Sequence, residues 1–306
     1  MSETNRREFL KCAAWSGTGL LWTLNGGISM SGLISNANAA EHGQFSFVQI
    51  SDTHIGFNKP ANPDPIATLR VAIAQIKRLP VQPTFILHTG DITHLSKESE
   101  FDDAEQVLKE IGLPIHFVPG EHDVQDETNG KVYLKRFGKN TFGDGWYSFD
   151  AGGAHFVGLV NVVNLQPGGF GSLGSEQIEW LKKDLAKLSA SKPIVVFTHM
   201  PMWSLYPEWG WGTADSAEAL KLLNRFGSVT VLNGHIHQIQ QKIEGHMVFH
   251  TARSTAFPQP APGDAKSPGP LTVPAEQLRT MLGLTSVRLA HSRGPLALTD
   301  SVLTEK

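Results

Sequence analysis

The chain has 306 residues, 26 basic and 29 acidic, with a formal net charge of −3 and one cysteine. That length suits one large α/β core, which runs to roughly 250–300 residues before chains split into domains. The near-balanced charge argues against a nucleic-acid scaffold, which needs a basic face, and a single cysteine excludes a disulfide framework.

At the N-terminus, Asn5-Arg6-Arg7-Glu8-Phe9-Leu10-Lys11 precedes a mildly apolar stretch reaching Ile34, broken by Ser16, Gly17, Asn25, Gly26 and Gly27, and a small-residue site at Ala37-Asn38-Ala39. This resembles a twin-arginine export signal, with Asn5 where Ser is commoner. The breaks make a stable transmembrane span a poor alternative. The expectation is a signal peptide over 1–39, cleavage after Ala39, passage through the twin-arginine machinery, a periplasmic or secreted product, and no stable membrane anchor after cleavage. Cleavage removes Arg6, Arg7, Lys11, Glu3 and Glu8 and leaves a net charge of −4. Cys12 leaves too, so any metal must be held by nitrogen and oxygen ligands.

Along the remaining chain, Phe45–Ile50, Phe85–Thr89, Ile115–Val118, Ile194–Thr198 and Val229–Asn233 are short apolar runs rich in β-branched and aromatic residues, each ending at a polar or glycine break, and read as buried strands. Helices are expected over Ile66–Lys77 and near Lys97–Ile111, where Phe101, Ala104, Val107, Leu108 and Ile111 fall on one stripe. From Asn129 to Leu165 the pattern reads as an antiparallel meander, with strands Trp146–Phe149 and His155–Val160. Further helices are expected over Ser175–Leu188 and Ser216–Phe226, and a hairpin around Glu244-Gly245-His246. The segment Phe257–Pro274 holds six prolines and reads either as a surface wrap or as a lid or wall beside the site. A short helix over Pro274–Leu282 and a hairpin around Ser292-Arg293-Gly294 close the chain.

Each of the five apolar runs leads directly into a polar segment: Asp52-Thr53-His54, Gly90-Asp91, Gly120-Glu121-His122-Asp123, His199 and Gly234-His235-Ile236-His237. Ligands in open α/β sheets gather at strand carboxyl ends, and carboxylate with imidazole suits hard or borderline divalent metals. Two such ions ~3.5–4 Å apart can activate water and stabilise both oxygens of an in-line phosphoryl displacement.

These motifs, in this order from about Phe45 to Thr251, resemble the calcineurin-like metallophosphoesterase family. The resemblance implies a four-layer α/β/β/α sandwich with mixed sheets and a dimetal site at the strand C-terminal ends. It implies that Asp52, His54 and His237 ligate one metal, that Asp91 bridges, and that position 121, His199 and His235 complete the second site. His122 would protonate the leaving oxygen, with Asp123 orienting its ring. Two metal ions of the Fe, Mn or Zn kind are implied, and a metal-bridging hydroxide as nucleophile. Position 121 departs from the family pattern, which has Asn there; Glu121 makes the formal site charge zero rather than +1, and is expected to ligate still.

His94, at the position where the related purple acid phosphatases place a tyrosine ligand, and Trp203, Trp209 and Trp211, beyond His199, are candidate substrate contacts; loop packing is the alternative for the tryptophans. The metallophosphoesterase domain is expected to span 40–256, with 257–306 belonging to it. The expected reaction is hydrolysis of a small phosphodiester, such as a cyclic nucleotide. Alternatives are a phosphomonoesterase acting on nucleotides or sugar phosphates, and a metal-holding scaffold without activity.

Overall fold

The computed structural model describes residues 21–25, 28–32, 45–289 and 296–304. Two strands, β1 (Leu21–Asn25) and β2 (Ile28–Gly32), pair antiparallel within a unit spanning Met1–Gln44. Arg6, Arg7 and the expected cleavage site at Ala37–Ala39 lie outside the described residues.

In the second unit, Phe45–Lys306, alternation of side chains along the strands decides the layering. In β3 (Ser46–Ile50) Phe47 joins one core cluster while Val48 and Ile50 join another. β3 pairs in parallel with β4 (Ile86–His88), and β4 with β5 (Ile115–Phe117). On its other side β3 pairs antiparallel with β12 (Gly283–Leu289), which pairs antiparallel with β13 (Leu296–Val302), giving the order β13-β12-β3-β4-β5.

The second sheet holds β6 (Tyr147–Ala151), β7 (Ala154–Gly158), β8 (Ile194–Phe197), β9 (Val229–Asn233), β10 (Gln241–Glu244) and β11 (Met247–Thr251). Its order is β10-β11-β9-β8-β7-β6, parallel from β11 to β7 and antiparallel at both ends. Both sheets are therefore mixed.

Inward-facing Phe47, Leu87, Phe156, Val195, Phe197, Leu232 and Val287 fill the space between the sheets. The outer face of the first sheet packs on α1 (Pro65–Lys77) and α2 (Glu98–Lys109) through Leu69, Ile73, Phe101 and Leu108. The second sheet packs on α4 (Ser175–Leu185) and α5 (Ser216–Leu223) through Ile178, Leu181, Ala219 and Leu223. The result is the four-layer α/β/β/α sandwich. α1 starts where its chemistry dictates: the Asp64 carboxylate accepts from the Ala67 N–H at 2.9 Å and Pro65 supplies a preset φ. Among the described residues, no helix is long and apolar enough to cross a membrane.

One expectation needs correction. The stretch from Asn129 is not all meander, because Lys131–Phe137 forms a helix, α3. Its Arg136 bonds Asp102 (2.8 Å) and Glu105 (2.9 Å) of α2, and its Tyr133 is buried in the first outer core. A helix turns both groups toward α2, as an extended strand would not. A final short helix, α6 (Ala275–Met281), precedes β12.

Buried His155 on β7 lies 2.9 Å from Asp184 and 3.3 Å from Asp150. Burial works against its cation, but the two carboxylates outweigh it and raise the imidazole above its ordinary range. A raised folded-state value contributes stability that is complete below the unfolded value and is lost as pH rises through the folded one. Thermal unfolding of His155→Gln against the parent should therefore show a deficit of about 1 kcal/mol at pH 6, shrinking at pH 8 to 9; a pH-independent deficit would refute the ion-pair account.

Candidate metal centre

The loops after β3, β4, β5, β8 and β9 meet at one end of the sandwich. Their backbones are unusual: Asp52 (φ 53°), His54 (40°), Asp91 (53°), His235 (70°) and His237 (55°) all take the left-handed conformation. For non-glycine residues this costs about 1–3 kcal/mol each and clusters at functional sites. The gain is a chain reversal tight enough to aim side chains two residues apart at one point. Glycine is needed where these loops touch: a Cβ on Gly120 would strike the Asp91 carboxylate, and one on Gly234 the Ser51 hydroxyl.

The side chains converge as two trios. In the first, His237 Nε2 lies 3.2 Å from Asp52 Oδ1 and 3.3 Å from His54 Nε2. In the second, Glu121 spans His199 Nε2 (2.9 Å from Oε2) and His235 Nδ1 (3.0 Å from Oε1). Asp91 Oδ2 stands between them, 3.4 Å from both His54 Nε2 and His199 Nε2. Within each trio the ligand atoms all lie within 4.8 Å of one another, and Asp52, Asp91 and His199 form a further such group.

Whether these residues suit metal ions is answered by their own unmet bonds. Asp52 Oδ2, Glu121 Oε2, His199 Nε2 and His235 Nδ1 are buried and make no hydrogen bond. Burying such atoms unpaired costs several kcal/mol per group, and here Glu121 Oε2 faces His199 Nε2 while His235 Nδ1 faces Glu121 Oε1. A divalent cation would satisfy the groups of this trio at once. The charge state agrees: burial pushes Glu121 up, but His235 and His199 overcome this and hold it well below the usual carboxylate range. Burial, with neighbouring His122 and His237, drives His54 well down to the neutral form that ligates.

Ring orientation comes from a surrounding layer of bonds. His199 Nδ1 donates to the Thr89 carbonyl (2.7 Å) and His237 Nδ1 to that of Phe257 (2.6 Å), which turns Nε2 of each inward. Gln49, buried in the middle of β3, donates to Thr89 Oγ1 and the Asn233 carbonyl. Asn161 pairs with both backbone groups of Met200, next to His199. These positioning residues lack a spacing motif; the available signal was a polar side chain inside or ending an apolar strand. Phe257 and Gln259 resolve the two readings of the Pro-rich segment. Its first residues, 257–260, wall the site, with the Phe257 ring 4.7 Å from that of His54 and Gln259 donating to the His235 carbonyl, while most of 261–274 is solvent-accessible surface.

His122 lies beside the trios, its ring 4.8 Å from that of His54. Burial works against its cation, but Asp91, then Glu121 and the His94 carbonyl, outweigh it and raise the imidazole above its ordinary range. Asp123 departs from expectation, because it does not orient this ring. His122 Nδ1 donates to the His94 carbonyl at 2.6 Å. The fully buried Asp123 carboxylate instead accepts from Gly120 N, Ile92 N, Thr93 N and Thr93 Oγ1 at 2.8–3.0 Å. The cause is local: Glu121–Asp123 is a 3-10 turn, and three residues per turn send adjacent side chains about 120° apart.

Of the two readings of the tryptophans, loop packing holds for Trp203 and Trp211. Trp211 is fully buried against Trp209 (5.0 Å between rings), and Trp203 packs edge-on at 5.4 Å to Phe249 on the outer face of the second sheet. Both pin the loop to the domain, and Trp203 and Trp209 are half-buried and keep partial access to solvent. His94, by contrast, lies at the site, its ring parallel to His122 at 4.9 Å.

A family model for the calcineurin-like phosphoesterases matches residues 45–239. The chain belongs to that family. This phosphoesterase is 33% identical over 140 residues to purple acid phosphatase 15 of Arabidopsis thaliana, a match covering 42% of this chain and only 25% of that protein. It is 24% identical over 241 residues to a protein of Psychrobacter arcticus named "probable cyclic nucleotide phosphodiesterase", covering 73% of this chain and 84% of the relative. Among solved structures, a dimetal phosphatase from Danio rerio superposes with a TM-score of 0.62 at 15% identity, over 85% of this chain and 99% of that one, a likeness of fold. Family and site together make the protein a metal-dependent phosphoric ester hydrolase.

Asp123→Ala would leave three backbone N–H donors of two loops, those of Gly120, Ile92 and Thr93, without their acceptor. The expected result is a loss on the order of 3 kcal/mol in unfolding free energy, accompanied by weaker metal retention; unchanged stability would show that the two loops are held by other means.

Proposed function

We propose that the protein hydrolyses a small phosphodiester, such as a cyclic nucleotide, after export by the twin-arginine route. The observation that carries the substrate class is Glu121, whose carboxylate spans His199 and His235 where the family pattern has a neutral amide. Asp52, Asp91 and Glu121 together offset three of the four positive charges of two divalent ions. With the metal-bridging hydroxide counted as well the site is formally neutral, so a diester takes it to −1 and a dianionic monoester to −2. Like-charge excess in a partly desolvated site costs more than in water. The match to a protein named for cyclic nucleotide phosphodiesterase activity over most of both chains supports the same reading.

When bound by the two trios and Asp91, the metals would supply Lewis acidity and an activated water. The chain's own residues do the rest. His122 commits Nδ1 to the His94 carbonyl, which leaves Nε2 to carry the proton for the leaving oxygen. Asp91 and Glu121 favour the protonated ring, raising it above its ordinary range. Asp123 fixes the turn from which His122 projects by holding Gly120 to the loop after β4.

The test compares kcat/KM on bis-p-nitrophenyl phosphate and p-nitrophenyl phosphate with metal-loaded protein. The diester should be preferred by at least about tenfold, and Glu121→Asn should shift that ratio toward the monoester by about the same factor; a parent that prefers the monoester, or a ratio unmoved in the variant, overturns the assignment. For export, replacing Arg6 and Arg7 with Lys should retain uncleaved protein in the cytoplasm, while the exported parent should begin at Ala40. Unaffected export, or a different mature N-terminus, would count against the route.

A further inference from the structure

Each histidine that ligates through Nε2 needs a partner for the Nδ1 proton, because that partner selects the tautomer and sets the ring angle. For His199 and His237 the partner is a backbone carbonyl, of Thr89 and Phe257. His235 turns Nδ1 toward Glu121 and ligates by that atom instead. His54 differs from all three. Its Nε2 faces Asp91 and His237, and its Nδ1 lies 3.4 Å from Nδ1 of another side chain, His94.

We infer that His94 is a positioning residue that couples the first metal trio to the proton donor, and is not a substrate contact. A neutral His54 presenting Nε2 to a metal carries its proton on Nδ1, and the atom facing that proton is His94 Nδ1, which accepts it. His94 then bears its own proton on Nε2. The same residue acts on His122 twice, accepting from His122 Nδ1 through its main-chain carbonyl at 2.6 Å and covering the ring at 4.9 Å with planes 15° apart. Phe57 braces the far side, edge-on to His94 at 5.1 Å. The main-chain bond survives any side-chain change, so a substitution at 94 removes the hold on His54 and the cover over the His122 ring but keeps the carbonyl that holds His122 Nδ1.

This rests on reading Asp52, His54 and His237 as a metal-holding trio, and its test reads metal binding, whereas failure of the substrate assignment would appear only in the diester-to-monoester ratio of the parent. The full chain, stripped with chelator, is titrated calorimetrically with Zn2+. The parent should take up two equivalents. His94→Ala should weaken one of the two by about 10–100-fold, the range for loss of an outer partner of a ligating histidine, and leave the other unchanged. His94→Asn, whose Oδ1 can accept near the position of Nδ1, should restore it, and His94→Leu, which fills space without accepting, should not. Two unaltered Zn2+ affinities in His94→Ala, with KM alone raised, would make His94 a substrate contact and overturn the inference. So would equal weakening of both equivalents, or failure of Asn to do better than Leu, since each marks a general packing role.

Discussion

Everything at the active end of this protein follows from placing carboxylates and imidazoles at hydrogen-bonding distance with their lone pairs aimed inward and little water to separate them. Asp52, His54, Asp91, His199 and His237 are almost wholly buried, and several of their inward atoms lack any partner. Without cations such an arrangement stores repulsion and unpaid desolvation. It persists because two stiff sheets pack back to back beneath it, with Phe47, Phe156 and Phe197 interlocked between them, so the loops are anchored on strands that cannot yield. The left-handed backbone at five ligand positions is the geometric counterpart of that stored energy.

A second set of bonds converts strain into orientation. Backbone carbonyls of Thr89 and Phe257 set two rings, and Asp123 joins the turn after β5 to the loop after β4 so that the proton donor and the bridging carboxylate belong to one rigid body. His122 and Asp123, neighbours in the chain, thus divide labour: one faces the chemistry and the other faces the scaffold. Ser254 extends the same logic to the far loop, bonding the Asp52 carbonyl and the Ala256 N–H.

The buried strands and the polar segments that follow them were legible in the sequence because both follow from strand grammar, whereas the four-layer arrangement came from the family resemblance. Apolar runs ending in Asp, His or Gly state where a buried strand stops and what it delivers, and alternation along Phe47–Ile50 states that both faces are covered. What escaped depends on direction and not on order. Asp123 was misassigned because adjacency in sequence says nothing about divergence in a 3-10 turn. The tryptophans beyond His199 were read as near the metals because they are near in the chain, yet Trp203 runs away to Phe249. α3 was hidden by Tyr133 and Phe137, residues at home in strands, and by its short span between Gly130 and Gly138. Phe257 came from a segment without periodicity, where no pattern links a carbonyl to a histidine twenty residues earlier.

The family match ends at residue 239, but the first sheet does not. β3, which delivers Asp52, is sandwiched between β4 and β12, and β12 begins at Gly283. One flank of the first ligand-bearing strand is therefore supplied by a segment far downstream in the chain. Until it arrives, β3 presents an open edge of the kind that recruits other strands. Pairing over so long a separation is slow and carries a large loop-closure cost. The sheet that carries Asp52 is thus completed only once residues 283–289 have been made, and a metal-binding end built on it depends on chain well beyond the segment the family model matches.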